Sequence, residues 1–198
     1  MDNTQAPITN KWEQAYQNGK TGWDRGDISP NLLHWIEEQQ LQPCRILVPG
    51  CGNGYEALYL ATEGFEVVAI DIAPTAIANL NKALKVNDLT AEAISADFFS
   101  WTPTKPFDAI YEQTSLCALP QSQWQSYEQC LYHWLKPNGK LLAQFMQTNE
   151  SGGPPYHCDI SDMLTLFPAS RWQWGNEYKT QITHSSGKHE RVYLLEKN

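Results

Sequence analysis

Hydrophobic positions in this chain fall into short continuous runs separated by segments with helical spacing. The runs 46–48 and 67–70 contain only Val, Ile, Leu and Ala, as strands buried on both faces do. Strands are predicted at 45–48, 67–71, 91–95, 106–111, 140–146, 171–182 and 190–196. Helices are predicted at 10–17, 30–39, 55–61, 74–85, 123–135 and 159–167, and residues 1–9 are predicted to be disordered.

Local sequence signals predict where several of these elements begin. Ser29 followed by Pro30 is typical of an N-cap and the first position of a helix. The sequence Lys-Pro-Asn-Gly at 136–139 predicts a tight turn into the fifth strand. Residues 184–187 predict the turn of an antiparallel hairpin between the last two strands.

The order of the elements predicts an α/β fold with a mostly parallel seven-stranded sheet. Helices are expected on both faces, and the C-terminal hairpin is expected to be antiparallel. With 198 residues, the chain is predicted to form a single domain over 1–198. Within it, residues 10–40 are predicted to be an N-terminal helical lid.

A glycine-rich turn follows the first predicted strand. Gly50, Gly52 and Gly54 have the spacing Gly-x-Gly-x-Gly, and a predicted helix follows them. Glycines at such a turn let the backbone approach a ligand closely. Asp71 ends the second strand, where a carboxylate can accept hydrogen bonds from the hydroxyls of a ribose. These features together predict a cofactor of the adenosine type.

The glycine spacing discriminates between adenosine cofactors. The dinucleotide fingerprint is Gly-x-Gly-x-x-Gly, in which a pyrophosphate lies at the helix N-terminus. Here the third glycine comes one residue early, and the carboxylate of Glu56 in the next turn disfavours a pyrophosphate. The zwitterionic amino-acid tail of S-adenosylmethionine tolerates that carboxylate, so this cofactor is predicted. The alternative is an ordinary turn glycine cluster in another α/β protein.

Composition narrows the classes of partner. A net charge of −8 without a basic stripe argues against nucleic acid, because phosphate contacts supply most of that affinity. No run is long and apolar enough to span a membrane, and the N-terminus does not resemble a signal peptide. The five cysteines contain no C-x-x-C pair and the histidines lack metal-ligand spacing. We therefore expect a cytoplasmic monomer with free thiols, no metal and a small-molecule substrate.

Three large aromatic residues precede the first strand. Trp12 and Tyr16 are spaced i, i+4 and share one helix face, and Trp23 follows in a loop. They either pack the N-terminal helix onto the domain or close over the cofactor. A sulfonium is a permanent cation, and aromatic faces attract cations by roughly 0.5–2 kcal/mol.

Further candidates lie at the ends of the third and fourth strands. Asp97 and Phe98 can bond and flank an adenine, although Asp97 is equally suited to capping a turn. The segment 112–117 is the predicted floor of the reaction site. Ligands of open α/β sheets lie beyond the carboxyl ends of the strands, near the topological switch.

Several segments together resemble the thiopurine S-methyltransferase family, and within it the branch of thiol, thiocyanate and halide methyltransferases. They are Trp12-x3-Tyr16, Thr-Gly-Trp-Asp-Arg-Gly at 21–26, Val-Pro-Gly-Cys-Gly-Asn-Gly-Tyr-Glu at 48–56, Phe-Asp-Ala-Ile-Tyr-Glu at 107–112 and Gly-Pro-Pro-Tyr at 153–156. The similarity extends from about Trp12 to the C-terminus. It implies the Rossmann-like fold of S-adenosylmethionine-dependent methyltransferases.

The resemblance also implies site residues. The methionine moiety is expected on Gly50 and its loop, the ribose on Asp71, and the adenine on Asp97 and Phe98. The full set expected at the cofactor is Trp12, Tyr16, Trp23, Gly50, Cys51, Gly52, Asp71, Ile72, Asp97, Phe98 and Glu112. The set expected at the methyl acceptor is Trp23, Gln113, Thr114, Ser115 and Tyr156.

This chain departs from the branch at two places. The branch has tryptophan at the position of Tyr16, and Tyr-Thr-Phe-Phe at 113–116, where this chain reads Gln-Thr-Ser-Leu. The second departure makes the predicted acceptor pocket more polar, so a preference for halide or thiocyanate does not transfer from the branch.

The predicted function is methyl transfer from S-adenosylmethionine to a small soft nucleophile of the thiol, thiocyanate, halide or chalcogen oxyanion type. Alignment of the reactants is the expected source of rate. No catalytic residue is assigned; Glu112 and Gln113 are the candidates. Glu112 is expected to bind the cofactor's amino group or to orient Gln113 rather than to act as a base. The alternatives are a non-catalytic S-adenosylmethionine-binding protein and a nicotinamide-dependent oxidoreductase.

Overall fold

A computed structural model describes residues 8–179 and 187–198 of the chain. The helices within these residues are α1 (Ile8–Gln17), α2 (Pro30–Glu37), α3 (Tyr55–Thr62), α4 (Pro74–Val86), α5 (Trp124–Trp134) and α6 (Ile160–Leu166). The strands within them are β1 (Arg45–Pro49), β2 (Glu66–Asp71), β3 (Glu92–Ser95), β4 (Phe107–Gln113), β5 (Leu135–Gln147), β6 (Trp172–Tyr178) and β7 (His189–Lys197). Short 3-10 helices at Leu116–Ala118 and Gln121–Gln123 lie between β4 and α5.

The strands of the described residues form one sheet in the order β3-β2-β1-β4-β5-β7-β6. Neighbouring strands from β3 to β5 are parallel, whereas β7 is antiparallel to both β5 and β6. The predicted α/β fold, with its mostly parallel seven-stranded sheet and antiparallel C-terminal strands, is confirmed. Because β2 and β3 lie on one side of β1 and β4 lies on the other, the topological switch point is between β1 and β4.

Both faces of the sheet are covered by helices. Successive side chains of a strand point to opposite faces, and Leu47 accordingly packs with α5 and α6 while Ile46 packs with α2, α3 and α4. The same alternation in β4 places Ile110 on the α5 face and Tyr111 on the α2 face. β1 and β2 are buried on both sides, so they have continuous aliphatic runs instead of alternating polar positions.

The fifth strand begins earlier than the sequence predicted. β5 includes residues 136–139, so the prediction of a separate tight turn there is wrong. Its pairing with β4 moves from Leu135 opposite Phe107 to Lys140 opposite Ala109, and the residues between them bulge out of the ladder. Asn138 has a φ of 60° in this bulge. The turn residues are therefore used inside a strand.

The start of α2 has the predicted sequence but not the predicted cap. Pro30 occupies the first turn, while the side chain of Ser29 makes no capping hydrogen bond. Instead, the backbone N–H of Ser29 donates to Glu56 Oε1 at 3.0 Å. Ser29 is fully buried, so its role is to join α2 to α3.

Some predictions concern residues outside the described ranges. The predicted disorder of residues 1–9 falls mainly there, and α1 already begins at Ile8. The predicted extension of β6 to residue 182 and most of the hairpin turn at 184–187 also lie outside, while β6 ends at Tyr178. Among the described helices, none combines the length and apolarity needed to cross a membrane. All five cysteines are free thiols.

Candidate active site

A cavity of about 740 Å³ lies at the carboxyl ends of the central strands. Its walls include the loops after β1, β2, β3 and β4 together with the N-terminal residues before β1. This is the position expected for a ligand of an open α/β sheet, and the volume is that of a small-molecule site. The cavity therefore coincides with the predicted site.

The loops after β1 and β4 touch each other at the switch point. Gly50 has a φ of 58°, and a Cβ on it would lie 2.2 Å from Ser115 Oγ. The Ser115 hydroxyl donates to the carbonyl oxygen of Pro49 at 2.7 Å. A side chain at position 50 would thus meet both backbone strain and a steric clash. The glycine is required where the cofactor loop adjoins the floor of the cavity.

Asp71 holds the glycine loop from the end of β2. Its Oδ2 accepts from the N–H of Gly52 at 2.9 Å, and its Oδ1 accepts from the N–H of Ala73 at 2.8 Å. Burial raises the pKa of Asp71, while these backbone donors oppose the shift. Each carboxylate oxygen has a second lone pair, so Asp71 retains the capacity to accept hydrogen bonds from a ligand in the cavity.

The residues after β3 line another part of the cavity. Asp97 Oδ1 accepts from the N–H of Phe99 at 3.0 Å, so the carboxylate caps the turn. Its Oδ2 has no hydrogen-bond partner among residues 8–179 and 187–198. The ring of Phe98 packs 5.3 Å from that of Tyr127 and also lines the cavity, as does Ile72.

The three N-terminal aromatic residues form one cluster at the cavity. The rings of Trp12 and Trp23 are 5.1 Å apart and nearly perpendicular, and Tyr16 lies 5.9 Å from Trp23. Tyr16 Oη lies only 2.8 Å from where a Cβ on Gly52 would be. Burial, followed by the negative charge of Asp71, raises the pKa of the Tyr16 hydroxyl. The cluster therefore covers the glycine loop.

Hydrogen bonds fasten the N-terminal residues to the rest of the structure. Glu13 accepts from the N–H of Thr75 at 2.9 Å and from its hydroxyl at 2.6 Å. Ala73 is the N-cap residue of α4, and its methyl side chain cannot accept a capping hydrogen bond. Glu13 of α1 supplies the missing acceptor. Asn53 of the glycine loop donates to Asp24 and accepts from Asn79.

Glu112 points away from the cavity. It is 2% exposed, and its Oε1 accepts from the N–H groups of Ser115 at 3.1 Å and Leu116 at 2.8 Å. Burial, with a contribution from the negative charge of Glu190, raises the pKa of Glu112 to about 7. The carboxylate shapes the turn after β4, in which Thr114 has a φ of 61°.

Comparison with known proteins places the chain in a family. The family model described as thiopurine S-methyltransferase matches residues 8–197. The chain belongs to the thiopurine S-methyltransferase family. Members of this family are S-adenosylmethionine-dependent methyltransferases, which confirms the predicted enzyme class and cofactor.

Named relatives of this methyltransferase include plant enzymes. It is 36% identical over 154 residues to "Probable thiol methyltransferase 2" of Arabidopsis thaliana, with 76% of this chain and 68% of the relative covered. It is 33% identical over 156 residues to "Thiocyanate methyltransferase 1" of Brassica oleracea, with the same coverage of 76% and 68%.

Solved structures support the fold of this methyltransferase. 1,6-didemethyltoxoflavin-N1-methyltransferase of Burkholderia thailandensis has a TM-score of 0.77 at 15% identity, with 100% of this chain and 93% of the other covered. Magnesium protoporphyrin IX methyltransferase of Synechocystis PCC 6803, with bound S-adenosylmethionine, has a TM-score of 0.77 at 14% identity over 100% of both chains. At such identities the similarity concerns the fold alone.

Most residues that the sequence predicted at the site of this methyltransferase line one cavity. They are Trp12, Tyr16, Trp23, Gly50, Cys51, Gly52, Asp71, Ile72, Asp97, Phe98, Gln113, Thr114 and Ser115. Glu112 and Tyr156 are not among the lining residues. The backbone N–H of Tyr156 donates to the carbonyl of Cys117 at 2.7 Å, and the preceding Pro154 and Pro155 line the cavity instead.

Sequence reasoning missed several lining residues of this methyltransferase. Tyr111, Met146 and Lys188 also face the cavity. Tyr111 lies two residues before Gln113 on a strand and therefore shares its face, which was a usable signal. Lys188 comes from a distant part of the chain, and no local pattern marks it. Within the described ranges, no group of three His, Cys, Asp or Glu side chains is placed to hold a metal ion.

Proposed function

We propose that this protein transfers the methyl group of S-adenosylmethionine to the sulfur of a small anionic nucleophile, such as a thiolate or thiocyanate. The observation that carries the proposal is the contact between the loops after β1 and β4, made by Gly50 and Ser115 in one cavity. It brings the predicted cofactor loop next to a polar floor. The relatives named as thiol and thiocyanate methyltransferases support sulfur as the acceptor atom.

The lining residues fit the cofactor. The left-handed backbone of Gly50 leaves room for the methionine tail, and the remaining lone pairs of Asp71 suit the ribose hydroxyls. Asp97 Oδ2 and the ring of Phe98 suit the amino group and the face of an adenine. When bound, S-adenosylmethionine supplies an electrophilic methyl group on a positively charged sulfur. The neighbouring aromatic rings would stabilise that charge.

The protein's own contribution is to align the reactants and to exclude water. Alignment of this kind can supply roughly 7–11 kcal/mol of the barrier. Thiocyanate carries no proton, so its attack needs no base. A thiol reacts as its thiolate, so its proton must first pass to solvent or to a base. Glu112 is not a lining residue and already accepts two backbone N–H groups, which supports a positioning role instead of proton transfer.

Residues 10–40 serve, in this proposal, as the lid that closes the cofactor side. Trp12, Tyr16 and Trp23 cover the glycine loop, and Glu13 anchors α1 to the start of α4. The five free cysteines support a reducing compartment, so we place the enzyme in the cytoplasm. We propose that it is a monomer that uses no nucleic-acid partner, in line with its net charge of −8.

The test is an assay of methyl transfer from labelled S-adenosylmethionine to a panel of acceptors. Small thiols, thiocyanate, iodide and tellurite should be compared at saturating cofactor, with an Asp71→Ala variant as the binding-deficient control. We expect turnover with at least one sulfur acceptor and little with the variant. Tight binding of S-adenosylhomocysteine without turnover on any acceptor would favour the non-catalytic alternative. Turnover on iodide or tellurite alone would contradict sulfur as the acceptor.

A further inference from the structure

Three buried polar side chains lead from α2 along one face of the sheet to the acceptor side of the cavity. Asn31 Nδ2 donates to Gln144 Oε1, and Gln144 Nε2 donates to the Tyr111 hydroxyl at 2.8 Å. Tyr111 then donates to Gln113 Oε1 at 2.9 Å. Asn31 is 5% exposed, Gln144 2% and Tyr111 1%. Buried polar groups are costly without partners, and here they satisfy one another.

The direction of these hydrogen bonds decides which end of the Gln113 amide faces the cavity. The single proton of Tyr111 is donated to the carbonyl oxygen of Gln113, so that oxygen is engaged. Gln113 lines the cavity, and its Nε2 has no hydrogen-bond partner among the described residues. The group left to meet a ligand is therefore an NH₂ with two donors and no lone pair.

We infer that Tyr111, Gln144 and Asn31 are positioning residues that fix the amide NH₂ of Gln113 as the group that binds the anionic methyl acceptor. This inference rests on the proposed function, since it names the residues that recognise the acceptor in the same site. N–H donors form their strongest hydrogen bonds with ionised acceptors. A neutral amine or alcohol would bring donors of its own to the same place.

A positive charge on the same cavity agrees with an anionic acceptor. The ammonium group of Lys188 lies 3.2 Å from the carboxylate of Glu150, an exposed side chain, and Lys188 lines the cavity. The cavity is also lined by carboxylates, of which Glu56 and Asp71 already accept hydrogen bonds from the backbone N–H groups of Ser29 and Gly52.

The test is a double-mutant cycle with Tyr111→Phe and Gln113→Met, measured as the KM of an anionic sulfur acceptor. Each single variant should raise that KM by about tenfold, the value of one hydrogen bond to a charged group. In the Gln113→Met background, Tyr111→Phe should change the KM by less than about twofold, because the amide that the Tyr111 hydroxyl positions is gone. The Kd of S-adenosylhomocysteine, measured by calorimetry, should stay within about twofold of the wild-type value.

The matched control is Tyr193→Phe, which removes another phenol hydroxyl of the sheet, one that contacts Glu177 and Arg191 and does not line the cavity. It should leave the KM unchanged. If Tyr111→Phe changed the KM equally with and without Gln113, the hydrogen bonds from Asn31 to Gln113 would have only a structural role, and the inference would be overturned. An unchanged KM in Gln113→Met would overturn it as well. This variant leaves the hydrogen bonds between Asn31, Gln144 and Tyr111 in place. Failure of the proposed function is distinct, since the wild-type enzyme would then turn over no sulfur acceptor.

Discussion

Replacing Gly50 by alanine tests the contact between the two loops on which the site depends. The left-handed backbone costs a residue with a Cβ about 1–2 kcal/mol. The new methyl group would lie 2.2 Å from Ser115 Oγ and 3.2 Å from its Cβ, and overpacking of this kind costs about 1–3 kcal/mol. We therefore expect Gly50→Ala to reduce the free energy of unfolding by about 2–5 kcal/mol.

Gly64→Ala is the matched control for the backbone term. Gly64 has a φ of 83°, and a Cβ on it would meet no atom within 4 Å. Its substitution should cost only the backbone share, about 1–2 kcal/mol. A second variant, Ser115→Ala, loses the hydrogen bond to Pro49 but removes the clashing oxygen. Combined with Gly50→Ala, it should be less destabilising than the sum of the two single substitutions.

Urea unfolding of the four variants and the wild type provides the measurement, and calorimetry with S-adenosylhomocysteine provides a second readout. Gly50→Ala should weaken S-adenosylhomocysteine binding strongly, whereas Gly64→Ala should not. If the stabilities of Gly50→Ala and Gly64→Ala agree within about 0.5 kcal/mol, the loops are not in the contact described. Additive costs for Gly50→Ala and Ser115→Ala would refute the same reasoning.

Three further substitutions test individual carboxylates. Glu112→Gln keeps the acceptor oxygen but cannot ionise. In the folded wild type, the pKa of Glu112 is about 7, against an ordinary value of 4.5. Between pH 4.5 and 7 only the unfolded chain releases this proton, so the wild type should lose about 3 kcal/mol of stability over that range. Urea unfolding at pH 5 and 8 should show no such loss in the variant, and equal losses in both proteins would contradict the buried carboxylate. Glu13→Ala removes the acceptor of Thr75 and should weaken S-adenosylhomocysteine binding about fivefold by calorimetry, the value of one helix cap; unchanged affinity would exclude an anchoring role. Asp71→Asn should weaken the same binding at least about tenfold, and an affinity equal to wild type would remove Asp71 from the cofactor site.

The predicted site residues that line the cavity were found from local spacing. The glycine turn, Asp71 and Asp97 each follow a strand within a few residues, and the parallel sheet brings strand ends to one edge. The centre of the sheet was predictable because β1 and β2 are buried on both faces and have continuous aliphatic sequences. Strand alternation could also have placed Glu112 on the opposite face from Tyr111 and Gln113.

Other features depend on contacts between distant segments. Gln144 and Asn31 are 113 positions apart, so no local pattern could pair them. Ser29 has the sequence of an N-cap, but the burial of its backbone against Glu56 gives its N–H a different partner. The turn sequence at 136–139 lies within a strand because pairing with β4 resumes on its far side. At Ser29 and at 136–139, tertiary contacts override a local preference.

Glu56 shows how one side chain contributes to cofactor choice and to architecture. It lies in the first turn of α3, where a helix N-terminus would otherwise favour a pyrophosphate. Its Oε1 accepts the N–H of Ser29, which ties the N-terminal segment to the helix after the glycine loop. Burial raises the pKa of Glu56, and the backbone donors oppose this shift by favouring the ionised form. A carboxyl group held at that point by Ser29 leaves no free site for a pyrophosphate but can accept a hydrogen bond from an ammonium group. The early third glycine and the acid after it therefore select against dinucleotides through the same contact that fixes α2.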